Sequence, residues 1–415
     1  MGVRSIASAV ALALAAGTAR GELSSQGSLA LEGRAFLPDG VAATKDQGLA
    51  LSARLELKSR NRPWRTKLRI FGRVGAIDST RADLVVEEAW VGLRGGRFRI
   101  RAGAQLLSWT ATDAFHPADV MNARNFDSDL EDAEKIGEPV FSARVAIGTG
   151  GMTVYYMPLR IEHRFPDPVS RLSLFPAPLG RPLWIEADGS VSSDRFTHGW
   201  AVRILQTIGS ADIAVHALRH HDRSHPTFVI DPSSATLRPL HHGVAQVGGS
   251  YAQAIGDWLL KAEYAHSDLD SPVDLGSFQP LEDQAGIDHD QMAFGLEHGW
   301  SYSNGHDATV VFEGQAIAGT SARERARLHP FQRDLLIGYY HGFNDLHGRE
   351  LAAGAIIDVD GRSEALAYLS YAQRLSDTWR AQGALRAIRA DSEDGDGLRA
   401  LDGDHSFEVT FARHF

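Results

Sequence analysis

The chain has 415 residues, a net charge of −10 and no cysteine. The acidic balance argues against a nucleic-acid binder, whose phosphate contacts call for a basic surface. Without cysteine there is no disulfide and no thiolate ligand. The 41 glycines are about a tenth of the chain, above the roughly 7% usual in proteins, which fits many tight turns.

Residues 1–21 read as an export signal. Arg4 supplies a positive start, residues 6–17 are small and apolar, and Ala19 and Gly21 offer a cleavage point. The apolar run is shorter than the roughly 20 residues that span a bilayer as a helix, and charges interrupt every later apolar stretch. The expected mature chain, 22–415, is therefore either a periplasmic protein or a barrel.

Period two dominates from there on. Leu49, Leu51, Ala53, Leu55 and Leu57 alternate with Ala50, Ser52, Arg54, Glu56 and Lys58. Leu68, Ile70, Gly72 and Val74 alternate with Lys67, Arg69, Phe71 and Arg73, and Phe98, Ile100 and Ala102 with Arg97, Arg99 and Arg101. A helical period would scramble these faces, so the runs are strands with one oily and one charged side. Eighteen runs of this kind are predicted, at 27–37, 47–59, 64–76, 80–94, 97–105, 140–148, 151–158, 196–208 and 211–222 in the first half. The second half carries 240–254, 257–267, 289–301, 305–317, 330–343, 347–359, 362–374, 377–390 and 404–415. Most are longer than globular strands and close to the 9–11 residues that cross a bilayer at a tilt.

The connections alternate between minimal turns, such as Gly95–Gly96 and Gly209–Ser210, and long polar segments at 106–139, 159–195, 223–239, 268–288, 318–329 and 391–403. Short periplasmic turns and long extracellular loops are the asymmetry of an outer-membrane barrel. The expected fold is an all-β, antiparallel, up-and-down transmembrane barrel of 16–18 strands, with 18 preferred. The last strand alternates Phe407, Val409 and Phe411 with polar residues and stops at Phe415, with Arg413 at a position where an apolar residue is usual. Such an end resembles the signal read by the outer-membrane assembly machinery, an expected partner alongside lipid and lipopolysaccharide.

The segment 105–140 carries turn formers in place of alternation: Trp109, Asp113, His116, Asp119, Asn122, Asn125 and Asp127. A loop this long usually folds inward or acts as a lid. Here, in a Gly–Ala–Gln strand end leading into a Trp/Asp-rich loop, the chain resembles large Gram-negative outer-membrane porins and alginate-export-type barrels. The resemblance implies a lumen constriction, with Trp109, Asp113, Asp119, Asn122 and Asp127 shaping it and the three aspartates meeting the basic strand faces. Those faces present Arg54, Lys58, Lys67, Arg69, Arg73, Arg97, Arg99 and Arg101 as expected pore-lining cations, with Glu263, Glu297, Glu313 and Glu408 on later strands. Charge separated across a lumen in this way orients solutes and sets ion preference.

Other chemistry is weaker. His220, His221, His225, His241 and His242 flank an outer loop, but clustering on a flexible loop does not bring three or four metal ligands together. The acidic stretch 391–404 lacks the ligand register of a dedicated calcium site. No catalytic or cofactor motif is present, and Ser250 with His266 is a pairing of rim residues that spacing alone leaves open. The expected function is an outer-membrane channel or exporter for a polar, preferably anionic, solute, without cofactor or metal. The alternatives are a rim-active enzyme of lipase or protease type and a structural or adhesive barrel.

Overall fold

A computed structural model of the chain describes residues 22–37, 46–76, 83–126, 133–173, 178–223, 226–361, 363–390 and 398–415. The expected signal segment and Asp127 lie outside these residues. Eighteen strands follow one another. The first nine are β1 (Glu22–Phe36), β2 (Gln47–Asn61), β3 (Trp64–Gly75), β4 (Asp83–Gly95), β5 (Phe98–Gln105), β6 (Glu138–Val145), β7 (Gly151–Leu159), β8 (Phe196–Ile208) and β9 (Ala211–His221). The others are β10 (Gly243–Ile255), β11 (Trp258–Leu269), β12 (His289–Ser301), β13 (Asp307–Ala318), β14 (Arg333–Gly342), β15 (Glu350–Asp358), β16 (Glu364–Arg374), β17 (Trp379–Ala390) and β18 (Ser406–His414).

Each strand pairs antiparallel with the next, and β1 pairs with β18, so the sheet closes without an edge. All eighteen expected strands are present. The tenth starts later than expected because residues 236–241 belong to a separate small sheet.

Closure rests on a tight fit at the end of the chain. Gly27 and Phe415 exchange both backbone hydrogen bonds, at 2.9 and 3.0 Å. A Cβ at Gly27 would stand 2.6 Å from the Phe415 ring, so glycine is what lets the last residue lie against β1.

The faces are sorted the opposite way from a water-soluble protein. Outward Leu55, Ile100, Phe141, Val215, Phe294, Ile337 and Leu385 are exposed, whereas inward Ser52, Glu56, Gln246, Glu263 and Glu313 are buried. So many exposed apolar side chains on one continuous surface require lipid. Near the short turns the outer face carries Trp258 stacked on His298 at 4.3 Å, followed by Trp300 and Tyr302. Tyr156, Trp200 and Tyr264 stand toward the other end of their strands. Amphipathic rings at both ends of an apolar band mark its two interfaces.

The long connections fold on themselves at the opposite end. Segments 183–185, 191–192, 227–231, 236–241 and 279–280 make a five-stranded sheet around Leu183, Ile185, Val229 and Leu240. The connection after β13 contains helix α1 (Ala322–Leu328), started by a reciprocal Ser321/Glu324 capping box. In the 391–404 stretch, Asp402 accepts the Ala390 N–H at 2.7 Å and Asp404 pairs with Arg171. Those two carboxylates thus serve the protein itself.

Phe294→Arg, in the outward band, is expected to cost about 2–4 kcal/mol in reversible urea unfolding from vesicles, and Gln291→Arg, on the inner face, far less. Equal losses at the two positions would mean that the faces are reversed.

Candidate functional site

The segment after β5 turns into the barrel because the inner wall offers it two carboxylates. Glu263 on β11 accepts hydrogen bonds from the backbone N–H of Ala111, Thr112 at 3.0 Å and Ala118 at 3.1 Å, and from the Thr112 hydroxyl at 2.7 Å. Glu313 on β13 accepts those of Asp113, Ala114 and Phe115 at 2.7, 3.0 and 2.7 Å. A run of backbone N–H groups pointing one way makes an anion-binding concavity, and here the wall's own side chains fill it. Lys261, beside them, pairs with Asp113 at 2.9 Å and with Glu297.

Apolar contacts hold the two ends of the crossing. Trp109 is 1% exposed and packs against Tyr155 and His216, with centroids 5.7 and 5.0 Å away. Phe115 enters a cluster of Phe331, Leu336, Ile356, Leu366 and Ile388 on the far wall. The segment therefore reaches from the β7–β9 side to the β13–β17 side of the lumen. A cavity of about 610 Å³ lies beside it, lined by Asp113, His116 and Asp119 of the segment and by Tyr340, Tyr368, Gln382 and Arg386 of the wall. Burial keeps the His116 imidazole neutral, its pKa pushed down to about 4.

The expected loop residues have different partners from those anticipated. Asp113 meets Lys261 on β11, and Asp119 meets Lys135 and Arg124 within the segment, so neither reaches the early basic strands. Asn122 ties the segment to itself, bonding Leu107 N–H and the carbonyls of Gln105 and Ile136 at 2.8–2.9 Å. The segment meets the early wall instead through Glu134, 2.6 Å from Arg54, through Asn125, which donates to Asp83 at 3.0 Å, and through Ala123 and Ile136 packed on Phe71 and Val85.

Most of the expected basic wall is neutralised. Arg54 pairs with Glu87 and Glu134, Lys58 with Glu56, Lys67 with Glu56 and Glu88, Arg69 with Glu87 at 2.8 Å, and Arg73 with Glu32 at 2.9 Å. A β-bulge is responsible for much of this. In the β3–β4 pairing Arg69 faces Glu88 and Ile70 faces Val86, so Glu87 is the extra residue. The bulge turns Glu87 inward beside Glu88, placing two consecutive carboxylates on a face where strict alternation allows one. Arg97 belongs to the turn before β5 and bonds the Ala146 carbonyl at 3.2 Å.

Arg99 and Arg101 remain, and the register adds four arginines to them. Arg94, Arg99, Arg144, Thr153 and Arg203 are directly opposed in sequence across β4 to β8. At about 4.8 Å per strand that row is roughly 19 Å long. Arg101 lies over the Trp90 ring at 4.4 Å and Arg203 over Trp109 at 5.5 Å, faces that fix a guanidinium without cancelling its charge. The charges acting on Arg99 are Arg101, Arg94, Arg144 and Arg65, all positive. Among the described residues, none of these six guanidinium groups has a carboxylate within 4.0 Å. Arg65, Arg94, Arg144 and Arg203 escaped the sequence reading because only strand register brings them together.

The remaining sequence candidates do not assemble. Ser250 pairs in register with Glu263 and faces inward, whereas His266 pairs with Val247 and faces outward to Asp290, so they lie on opposite sides of the sheet. His220, His221, His241 and His242 are buried where the small sheet meets the barrel and are not on an exposed loop, and His225 lies outside the described residues. Among the described residues no three His, Asp or Glu side chains are arranged to hold a metal.

Hydrogen bonds to a charged group contribute about 1.5–3 kcal/mol each, so the two glutamates dominate the docking of the segment. Glu263→Ala with Glu313→Ala is expected to leave the barrel folded, with its gel mobility still heat-modifiable, while single-channel current becomes noisy and its mean rises. A steady, unchanged current would show that the segment does not narrow the path.

No protein-family model matches the sequence, and no curated protein matches it significantly. Solved structures do resemble it. OccK5 (OpdH) of Pseudomonas aeruginosa aligns over 95% of this chain and 98% of that one at 10% identity, with a TM-score of 0.53. OccAB4 of Acinetobacter baumannii gives the same 95%, 98%, 10% and 0.53. OccK3 (OpdO) of Pseudomonas aeruginosa covers 94% and 96% at 12% identity, with a TM-score of 0.52. The likeness is one of fold: the chain is a closed 18-stranded barrel of the outer-membrane porin kind.

Proposed function

We propose that the chain is a channel of the bacterial outer membrane that passes a polar anionic solute through a lumen narrowed by segment 106–139. The observation that carries this reading is the row of arginines on β4 to β8 with no carboxylate partner. Like charges a few ångströms apart in a tube of low dielectric repel one another, and elsewhere on the same wall the cations are paired. An arrangement that leaves one group unpaired concentrates anions at that group. The unpaired set lies toward the short-turn end, past the level where Glu263 and Glu313 hold the segment. In this reading the long connections face the cell exterior and lipopolysaccharide, and the short turns face the periplasm. The assembly machinery reads β18 and the Phe415 that follows it.

The reading also separates two kinds of cation that the sequence presents alike. Arg99→Gln, Arg144→Gln and Arg203→Gln together are expected to move the reversal potential under a KCl gradient from the anion side toward zero. Arg69→Gln with Glu87→Gln, which removes a pair without changing net charge, is expected to leave it in place. The parent's preference fades as salt shortens the Debye length to about 3 Å at 1 M. A cation-selective parent, or a triple variant indistinguishable from it, contradicts the proposal.

A further inference from the structure

The histidines under the small outer sheet form a continuous stack. His163 lies on His241 at 5.8 Å, His241 on Trp184 at 4.6 Å, Trp184 edge-on to His221 at 5.0 Å, and His221 beside His220 at 5.8 Å. His220 and His221 end barrel strand β9, while Trp184 and His241 belong to the small sheet. The stack is thus the joint between that sheet and the barrel, and all five rings are nine-tenths or more buried.

Its electrostatic surroundings are already cationic. Arg223 donates to His220 Nε2 at 2.9 Å and to Glu138 at 3.0 Å. Arg160 lies over Trp184 at 5.6 Å and pairs with Glu186 at 2.6 Å. Asp222 and His242 also act on His241 from the adjoining connection, and the Arg124 backbone N–H donates to His163 at 3.1 Å. The acidic groups in reach are Glu138, which also stands 3.7 Å from His220 Nε2, Glu186 and Asp222, with Asp270 beside His242, and Glu138, Glu186 and Asp270 each already face an arginine.

We propose that this stack is an acid-released latch: neutral histidines seat the small sheet on the barrel rim, and protonation unseats it. A positive charge on stacked rings between Arg160 and Arg223 repels both neighbours, and the carboxylates Glu138 and Glu186 are already paired with those two arginines. Burial keeps the His241 ring neutral while the sheet is seated, its pKa pushed down to about 3, and His242 is shifted the same way. A released histidine titrates near its ordinary value of about 6.5. The seated state therefore binds fewer protons than the released one, and its stability falls as pH drops below about 6.5 until the seated pKa is reached.

The inference uses the channel reading only for its consequence, a mouth that opens wider in acid; the latch itself is tested without conduction. Hydrogen exchange of residues 227–241 in the folded, membrane-inserted protein is compared at pH 7.5 and 4.5, with intrinsic rates corrected. Two pH units below about 6.5 correspond to about a 100-fold loss of protection for each histidine kept neutral in the seated sheet. Barrel strands are expected to keep theirs. His241→Phe keeps a ring in the stack without a proton site and is expected to lose about 100-fold less than the parent, with His241→Gln as the alternative if the phenylalanine variant does not fold. Full protection of the parent at pH 4.5 overturns the latch, and so does a loss in the variant equal to that of the parent.

Discussion

In hydrocarbon no water replaces a missing backbone partner, so a sheet that crosses a bilayer must close, and everything else in this molecule follows from that closure. Closing eighteen strands forces alternate residues to opposite solvents, oily outward and polar inward. An 18-stranded circumference is too wide for wall side chains alone to fill. The space is instead divided by a segment of the chain itself, whose crossing is held by Glu263 and Glu313 and by burial of Trp109 and Phe115 against opposite walls.

Charge is then distributed by local geometry and not by composition. The bulge at Glu87 converts one side of the basic wall into paired structure, and Glu32, Glu56, Glu88 and Glu134 complete that neutralisation. On the adjoining strands β5 to β8 the register shifts only between Phe196 and Gly199, at the end of β8 away from the short turn, and the cations there face one another or lie flat on tryptophan. A net charge of −10 over the chain therefore coexists with a strongly positive stretch of lumen. The acidic residues that set the total lie in pairs, in docking contacts and in the outer connections.

Strand positions, faces and the order of short and long connections were legible because a two-residue period bordered by glycine-rich turns has one physical interpretation. That Trp109 meets the inner wall was legible too, since a tryptophan in a long polar connection needs somewhere to be buried. Partners of the loop aspartates were not, because Lys261 is some 150 residues from Asp113 and only strand register places it. Nor was the neutralisation of Arg54 and Arg69, which depends on one inserted residue in β4. The small sheet was read as loop, apart from residues 240 and 241, which were joined to the tenth strand, because its strands are only two to six residues long. Helix α1 did carry a local signature, Ser321 followed three residues later by Glu324, and it is the element that sequence inspection had the means to find.

The central claim is that the unpaired arginine row lines the solute path and makes it positive. Thr153 lies in that row, opposite Arg144 on one side and Arg203 on the other, and the chain has no cysteine of its own. Thr153→Cys in a planar bilayer, exposed in turn to negatively and positively charged thiol reagents of equal size, reads both position and potential. The account requires modification to block current and the negative reagent to react at least tenfold faster at low salt, with the difference shrinking at 1 M. A faster positive reagent, or modification without effect on current, contradicts it.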